Sequence, residues 1–129
     1  MFGFLIQQKR INFFLFNLFF FNLFLIKKKY LIYYIIKKMM KYLVEFIGTF
    51  IFLSVILTTG QAIPIVVALL TAIHFGGHIS GGHFNPAVST MMTLKGDLSQ
   101  GDLPFYVLAQ VAGGVAALWL FKQMKAAKK

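Results

Sequence analysis

The chain has 129 residues, 59% of them hydrophobic and 12% charged, about half the charged fraction of an ordinary soluble domain. Its net charge of +10 rests on lysines set in blocks beside apolar runs, a pattern of membrane flanks that excludes a nucleic-acid-binding face. Cysteine is absent, which excludes a disulfide framework and a thiolate metal site.

Residues 1–41 form a low-complexity segment of Phe, Leu, Ile, Asn, Lys and Tyr. Its apolar stretch, 11–26, is interrupted by Asn12, Asn17 and Asn22 and bracketed by Lys9-Arg10 and Lys27-Lys28-Lys29. Those residues reach about 24 Å as a helix, short of the ~30 Å hydrocarbon core. A short spanning helix, a signal-anchor and an interfacial segment all fit. No small-residue cleavage site follows, which argues against a cleavable signal peptide. Native translation from Met39 or Met40 fits equally well. From Tyr42 the composition changes, and 42–59 reads as the first transmembrane helix, preceded by Lys37, Lys38 and Lys41. Gly60-Gln61 makes a short turn. Pro64 suits the first turn of a second helix, predicted over 63–75 and dissolving in Gly76-Gly77.

The most informative stretch comes next: Gly81-Gly82-His83-Phe84-Asn85-Pro86-Ala87-Val88. Asn at the cap with Pro at the first helical position signals a helix start. The helix it opens, 86–94, has room for about two turns before Gly96, too few to cross a bilayer. Non-helical backbone at membrane depth is tolerated only inside protein or against a wet cavity. The stretch therefore predicts a re-entrant half-helix beside a pore. Residues 95–102 read as a water-exposed loop, 103–121 as the third spanning helix and 122–129 as a lysine-rich tail. In that helix Ala109, Gly113 and Ala117 recur at every fourth position, with Gly114 beside them and Gly48 as a similar notch on the first helix. Small residues so spaced let two backbones approach.

Three blocks in this order carry a resemblance. Val44-Glu45-Phe46-Ile47-Gly48-Thr49-Phe50, Gly77-His78-Ile79-Ser80-Gly81-Gly82-His83-Phe84-Asn85-Pro86-Ala87-Val88 and Tyr106-Val107-Leu108-Ala109-Gln110-Val111-Ala112-Gly113-Gly114 resemble signatures of the major intrinsic proteins, the aquaporins and aquaglyceroporins. The resemblance covers about residues 40–120 and only the first of the family's two inverted repeats. It implies an all-α membrane protein: an aquaporin-like half-repeat of three transmembrane helices plus one re-entrant half-helix, here with an extra apolar N-terminal segment.

The implied function is a passive channel for water and small neutral solutes such as glycerol. Asn85, Pro86 and Ala87 would form the pore tip, with the Asn85 amide donating to the passing oxygen. Gly81, Gly82, His83 and Phe84 would belong to the lining loop, with backbone carbonyls from Gly76 to Phe84 as acceptors. The positive end of the half-helix would oppose cations. The resemblance puts a selectivity-filter position at Ile65, twenty residues before the motif Asn and usually aromatic in conducting members. Val88 stands where the family's second motif carries arginine, so a less polar filter is expected.

Glu45 is costly in an apolar helix unless partnered. The resemblance implies a brace for the loop backbone near His83; a surface pair with Lys41, one turn away, is the alternative. His74 and His78 have a metal-compatible spacing and His83 adds a third imidazole. No carboxylate or thiol joins them, and Gly76-Gly77 is expected to interrupt the helix that would align them, so neither a metal nor any cofactor is expected. No nucleophile–base pair, carboxylate pair or phosphate loop is present, so an enzyme is not expected.

The expected location is an integral multi-pass position in a cell or inner membrane. Three spans would put the ends on opposite faces, with Lys41 and Lys95 on one and Lys122, Lys125, Lys128 and Lys129 on the other; counting Lys37 and Lys38 evens the balance. Such a slight bias suggests dual topology; with translation from Met1, Lys27 to Lys29 tip the balance toward a fixed orientation unless 11–26 also spans. The expected partners are lipid and an inverted second copy or a complementary half-channel, in an assembly up to tetramer-like order, and no nucleic acid. A non-conducting aquaporin fragment and a small basic membrane-perturbing protein are the alternatives.

Overall fold

The computed structural model describes residues 2–127, with side chains at 7, 10 and 13–127. Lys128 and Lys129 of the expected tail lie outside the described residues. The described residues form four helices: α1 Phe2–Thr59, α2 Ala62–Ser80, α3 Pro86–Lys95 and α4 Leu103–Ala126. Among them three segments are long and apolar enough to cross a membrane: Phe13–Thr59, Ala62–Ser80 and Leu103–Ala126. The ten residues of α3 reach only about 15 Å, half the hydrocarbon core. The protein is an all-α, integral, multi-pass membrane protein with one broken helix among its spans.

Two compact units divide the chain, Met1–Lys37 and Lys38–Lys129. In the first, the side chains from Phe13 to Lys37 are all exposed. Its asparagines sit in an apolar helix because their amides bond back one turn: Asn17 Nδ2 donates to the Phe13 carbonyl and Asn22 Nδ2 to the Leu18 carbonyl, both at 2.8 Å. The change of character falls at Lys38 rather than at residue 42, because Lys38 already takes part in the second unit. Its ammonium lies 2.8 Å from Asp102 Oδ1, and Tyr42 Oη donates to the same oxygen at 2.8 Å.

In the second unit the later part of α1 runs parallel to α4. Tyr42 stacks on Phe105 at 5.3 Å and meets Tyr106 edge-on at 5.8 Å. Farther along, Gly113 seats against the α1 backbone: a Cβ there would lie 2.6 Å from the Phe46 carbonyl oxygen and 3.1 Å from the Phe50 nitrogen. The buried residues Tyr106, Gln110, Gly113 and Ala117 make one stripe of α4. Ala109 is half-buried beside it.

Several boundaries differ from the sequence reading. The first spanning segment belongs to a longer continuous helix. α2 does not dissolve at Gly76-Gly77 but continues to Ser80, where Gly81 (φ 93°) ends it and donates to the Gly77 carbonyl at 2.8 Å. The paired glycines do not break the helix, and Gly76 is a packing seat: a Cβ on it would lie 2.7 Å from Val44 Cγ1 and 3.2 Å from the Phe84 ring. α4 likewise runs past 121 through Lys122 and Lys125, with the Lys125 ammonium 4.8 Å from the Phe121 ring centre.

The loop 95–102 is not uniformly wet, since Leu98 and Asp102 are buried. Burial acts to raise the Asp102 carboxyl, but hydrogen bonds from Lys38, Tyr42 and Ser99 outweigh it and hold the group below its ordinary value. Its contribution to stability is therefore complete above the unfolded carboxylate value of about 4. It is lost as pH falls through the lower folded value. The thermal unfolding midpoint in detergent should fall with acidification in that window. Asp102→Asn should remove this component of the slope.

Candidate functional site

Glu45 is fully buried, and its carboxylate gathers the loop between α2 and α3. Oε1 accepts from Ser80 Oγ at 2.7 Å and from the His83 backbone N–H at 3.0 Å. Oε2 accepts from the Phe84 backbone N–H at 2.7 Å and from Gln110 Nε2 at 2.9 Å. Four donors are the full complement that an ionised carboxylate accepts, which is how a charge is tolerated at this depth. Glu45 thus faces the loop, and no ion pair to Lys41 forms among the described residues.

A second layer closes around it. Gln110 Nε2 also donates to Ser89 Oγ at 2.8 Å, and Ser89 Oγ lies 3.1 Å from His83 Nδ1. Tyr106 Oη donates to the Ser80 carbonyl at 2.6 Å, and the Gly82 N–H donates to Ser80 Oγ at 3.1 Å. Every element of the second unit contributes: Glu45 from α1, Ser80 from α2, Ser89 from α3, and Tyr106 and Gln110 from α4. The sequence reading gave no role to Ser80, Ser89, Tyr106 or Gln110. The available signal was Tyr106 and Gln110 one turn apart on an apolar helix.

Phe84 locks the loop from the other side. Its ring fills the space above Gly48, where a Cβ would lie 2.1 Å from the ring's Cε1, and also meets Gly76. Gly48 is therefore a seat for the loop rather than for another helix. Phe84 carries a left-handed backbone (φ 46°), uncommon outside glycine, and is held there by burial and its bond to Glu45. Gly81 and Gly82 also adopt positive φ.

So anchored, the chain emerges at Asn85, which caps α3. Its Oδ1 accepts from the Ala87 N–H at 2.8 Å, and Pro86 occupies the first turn. With its carbonyl engaged, the Asn85 side chain is left with its amide NH2 as donor. Asn85, Pro86 and Ala87 are exposed. Asn85 and Pro86 border an open groove of about 460 Å³ shared with Thr49, Leu53, Gln110 and Gly114. Thr49 Oγ1 and Gln110 Oε1 are buried there without a protein partner among the described residues.

Other expected positions lie elsewhere. Ile65 is half-buried on the first turn of α2, with about 22 Å of helix between it and Ser80. Between α2 and α3 only residues 81–85 are non-helical, so the carbonyls of residues 76–80 belong to α2 rather than to an extended lining loop. Because α2 is unbroken, His74 and His78 share one of its faces, contrary to the expected interruption. Among the described residues no group of three His, Cys, Asp or Glu side chains could hold a metal.

Three helices long and apolar enough to span, a helix too short to cross a membrane and a buried carboxylate holding its entry loop define an aquaporin-like membrane fold. The chain belongs to the major intrinsic protein family, whose sequence profile matches residues 33–129. It is 42% identical over 89 residues to glycerol uptake facilitator protein-like 6 of Lactiplantibacillus plantarum, covering 61% of this chain and 41% of that protein. It is 44% identical over 60 residues to aquaglyceroporin AqpS of Rhizobium meliloti, covering 46% and 23%. It is 48% identical over 58 residues to aquaporin Z of Brucella melitensis biotype 1, covering 45% and 25%. The chain thus spans less than half the length of each of these relatives.

Proposed function

We propose that this repeat forms one half of a passive channel for water and small neutral solutes such as glycerol. The observation that carries the reading is the Asn85 cap: its oxygen is bound by the Ala87 N–H, so an amide donor is presented at the exposed tip of a broken helix. A water or alcohol oxygen accepts from that donor. The N-terminal dipole of α3 at the same tip disfavours a cation. The channel needs a second repeat in inverted orientation facing Asn85, Pro86 and Ala87. The exposure of these residues supports this, and an inverted copy of the same chain would supply it. Gly81, Gly82, His83 and Phe84 position the tip, while Ile65 and Val88 make the filter less polar. The chemistry is transport, not catalysis.

Vesicles reconstituted with the chain should shrink several-fold faster than empty vesicles under an osmotic gradient. Asn85→Leu should return the rate to the empty-vesicle value while leaving the Glu45 bonds intact. Equal rates for the unsubstituted chain and empty vesicles would remove the proposal. Leakage of a large dye would instead favour a membrane-perturbing protein.

A further inference from the structure

The first unit carries lysines that no acid in the sequence is left to neutralise. Residues 1–37 contain six basic residues and no acid. The chain has only three acids, Glu45, Asp97 and Asp102. Glu45 is saturated by its four donors, Asp97 pairs with Lys95 at 2.6 Å, and Asp102 holds Lys38 and Tyr42. The counter-charge for Lys27, Lys28, Lys29 and Lys37 therefore comes from outside the protein.

The residues around these lysines indicate what supplies it. Lys29, Tyr33 and Lys37 recur at every fourth position of α1 and so share a face, with Tyr30 beside them. Tyr30 and Tyr33 are 71% and 64% exposed. Ile26, Lys29, Tyr30 and Tyr33 border a surface crevice of about 480 Å³. Leu31, Ile32 and Ile35 lie on the far side of the same turns together with Lys28, Ile36 lies beside Lys29 and Tyr33, and all are exposed as well, so the lysines ring the helix. Just before the lysines, residues 13–26 are apolar, carry no charge and are exposed throughout. An uncharged apolar stretch ending in a lysine–tyrosine collar matches the layering of a membrane leaflet: acyl chains, then the boundary where tyrosine sits, then phosphate.

We propose that residues 27–37 are a binding site for anionic phospholipid headgroups. Lys27, Lys28, Lys29 and Lys37 meet the headgroup phosphates, and Tyr30 and Tyr33 lie at the boundary between headgroup and acyl chain. Juxtamembrane lysines near an anionic surface attract it additively, and the attraction is screened by salt.

The test uses the full chain in phosphatidylcholine vesicles with trace spin-labelled phosphatidylglycerol or spin-labelled phosphatidylcholine. The fraction of motionally restricted label is read by electron paramagnetic resonance. Labelled phosphatidylglycerol should associate about five-fold more strongly or better, given the strength of a single surface lysine. The preference should collapse on raising salt from ~0.05 M to ~1 M. It should vanish in the Lys27→Gln, Lys28→Gln, Lys29→Gln, Lys37→Gln variant and persist when the same four positions carry arginine. The salt titration needs no variant, so it decides even if the glutamine variant does not insert. Equal association of the two labels, a preference indifferent to salt, or its loss in the arginine variant overturns the proposal. So do crosslinks between copies through Tyr33 in place of restricted lipid, which would assign the face to a second chain.

Discussion

Glu45→Ala is expected to destabilise the second unit by about 3 kcal/mol or more and to release the loop that carries Asn85. The substitution leaves the His83 and Phe84 backbone N–H groups buried without an acceptor and takes from the Gln110 amide one of its two, Ser89 Oγ remaining. Each such group costs ~1–3 kcal/mol, and the costs overlap because the groups share one site. Ser80 escapes most of the penalty, since its hydroxyl already lies 3.5 Å from the Gly76 carbonyl and can turn to it. Glu45→Gln is no remedy. In either amide orientation an NH2 group faces at least one backbone N–H, that of His83 or of Phe84, so its cost should approach that of alanine although the side chains match in volume. Two measurements check this: the unfolding midpoint in detergent, and hydrogen exchange at the His83 and Phe84 amides. A loss of 3 kcal/mol corresponds to roughly a hundred-fold gain in exchange where opening is local. Unchanged protection at both amides would show that the carboxylate is not what holds the loop.

Gly113→Ala is expected to destabilise by about 2 kcal/mol, against the ordinary preference of a helix for alanine over glycine. The added Cβ meets two backbone atoms of α1, the Phe46 carbonyl oxygen at 2.6 Å and the Phe50 nitrogen at 3.1 Å, and the Thr49 Cβ at 3.3 Å. Backbone cannot rotate away, so α1 and α4 must separate. Any separation stretches the 2.9 Å bond between Gln110 and Glu45, one turn along the same stripe. The neighbouring glycine provides the control. A Cβ on Gly114 meets only the end of the Leu53 side chain, at 2.9 Å, and that chain can change rotamer. Gly114→Ala should therefore lie within about 0.5 kcal/mol of the parent, its clash offset by helix propensity. Thermal unfolding of the two variants side by side distinguishes a backbone seat from a merely small residue.

What the sequence revealed follows from which signals are local. Asn85-Pro86 announced a helix start because a cap and a fixed proline φ act within one turn. The spans were legible as apolar runs of sufficient length, and the small-residue stripe of α4 as a four-residue repeat. Gly76-Gly77 misled because glycine marks both a helix break and a seat for a close neighbour. Only the position of the Phe84 ring and Val44 decides between the two. The lysines after Phe121 suggested a separate tail, yet lysine propagates a helix well and its long stem can lie on an aromatic ring, as Lys125 does. Asp102 read as loop polarity because its partners, Lys38 and Tyr42, lie some sixty residues earlier in the chain. The convergence of Ser80, Ser89, Tyr106 and Gln110 on one carboxylate was illegible for the same reason: it is long-range, and no local pattern encodes it.

The absence of cysteine makes one further measurement direct, because Ala87→Cys creates a single thiol beside the cap. If the tip of α3 borders a water path, a membrane-impermeant thiol reagent added to reconstituted vesicles will label that position. Osmotic shrinkage will then slow toward the rate of empty vesicles and recover on reduction. Labelling only by lipid-soluble reagents, with flux unaltered, would place the tip against acyl chains and contradict a role for Asn85 in permeation.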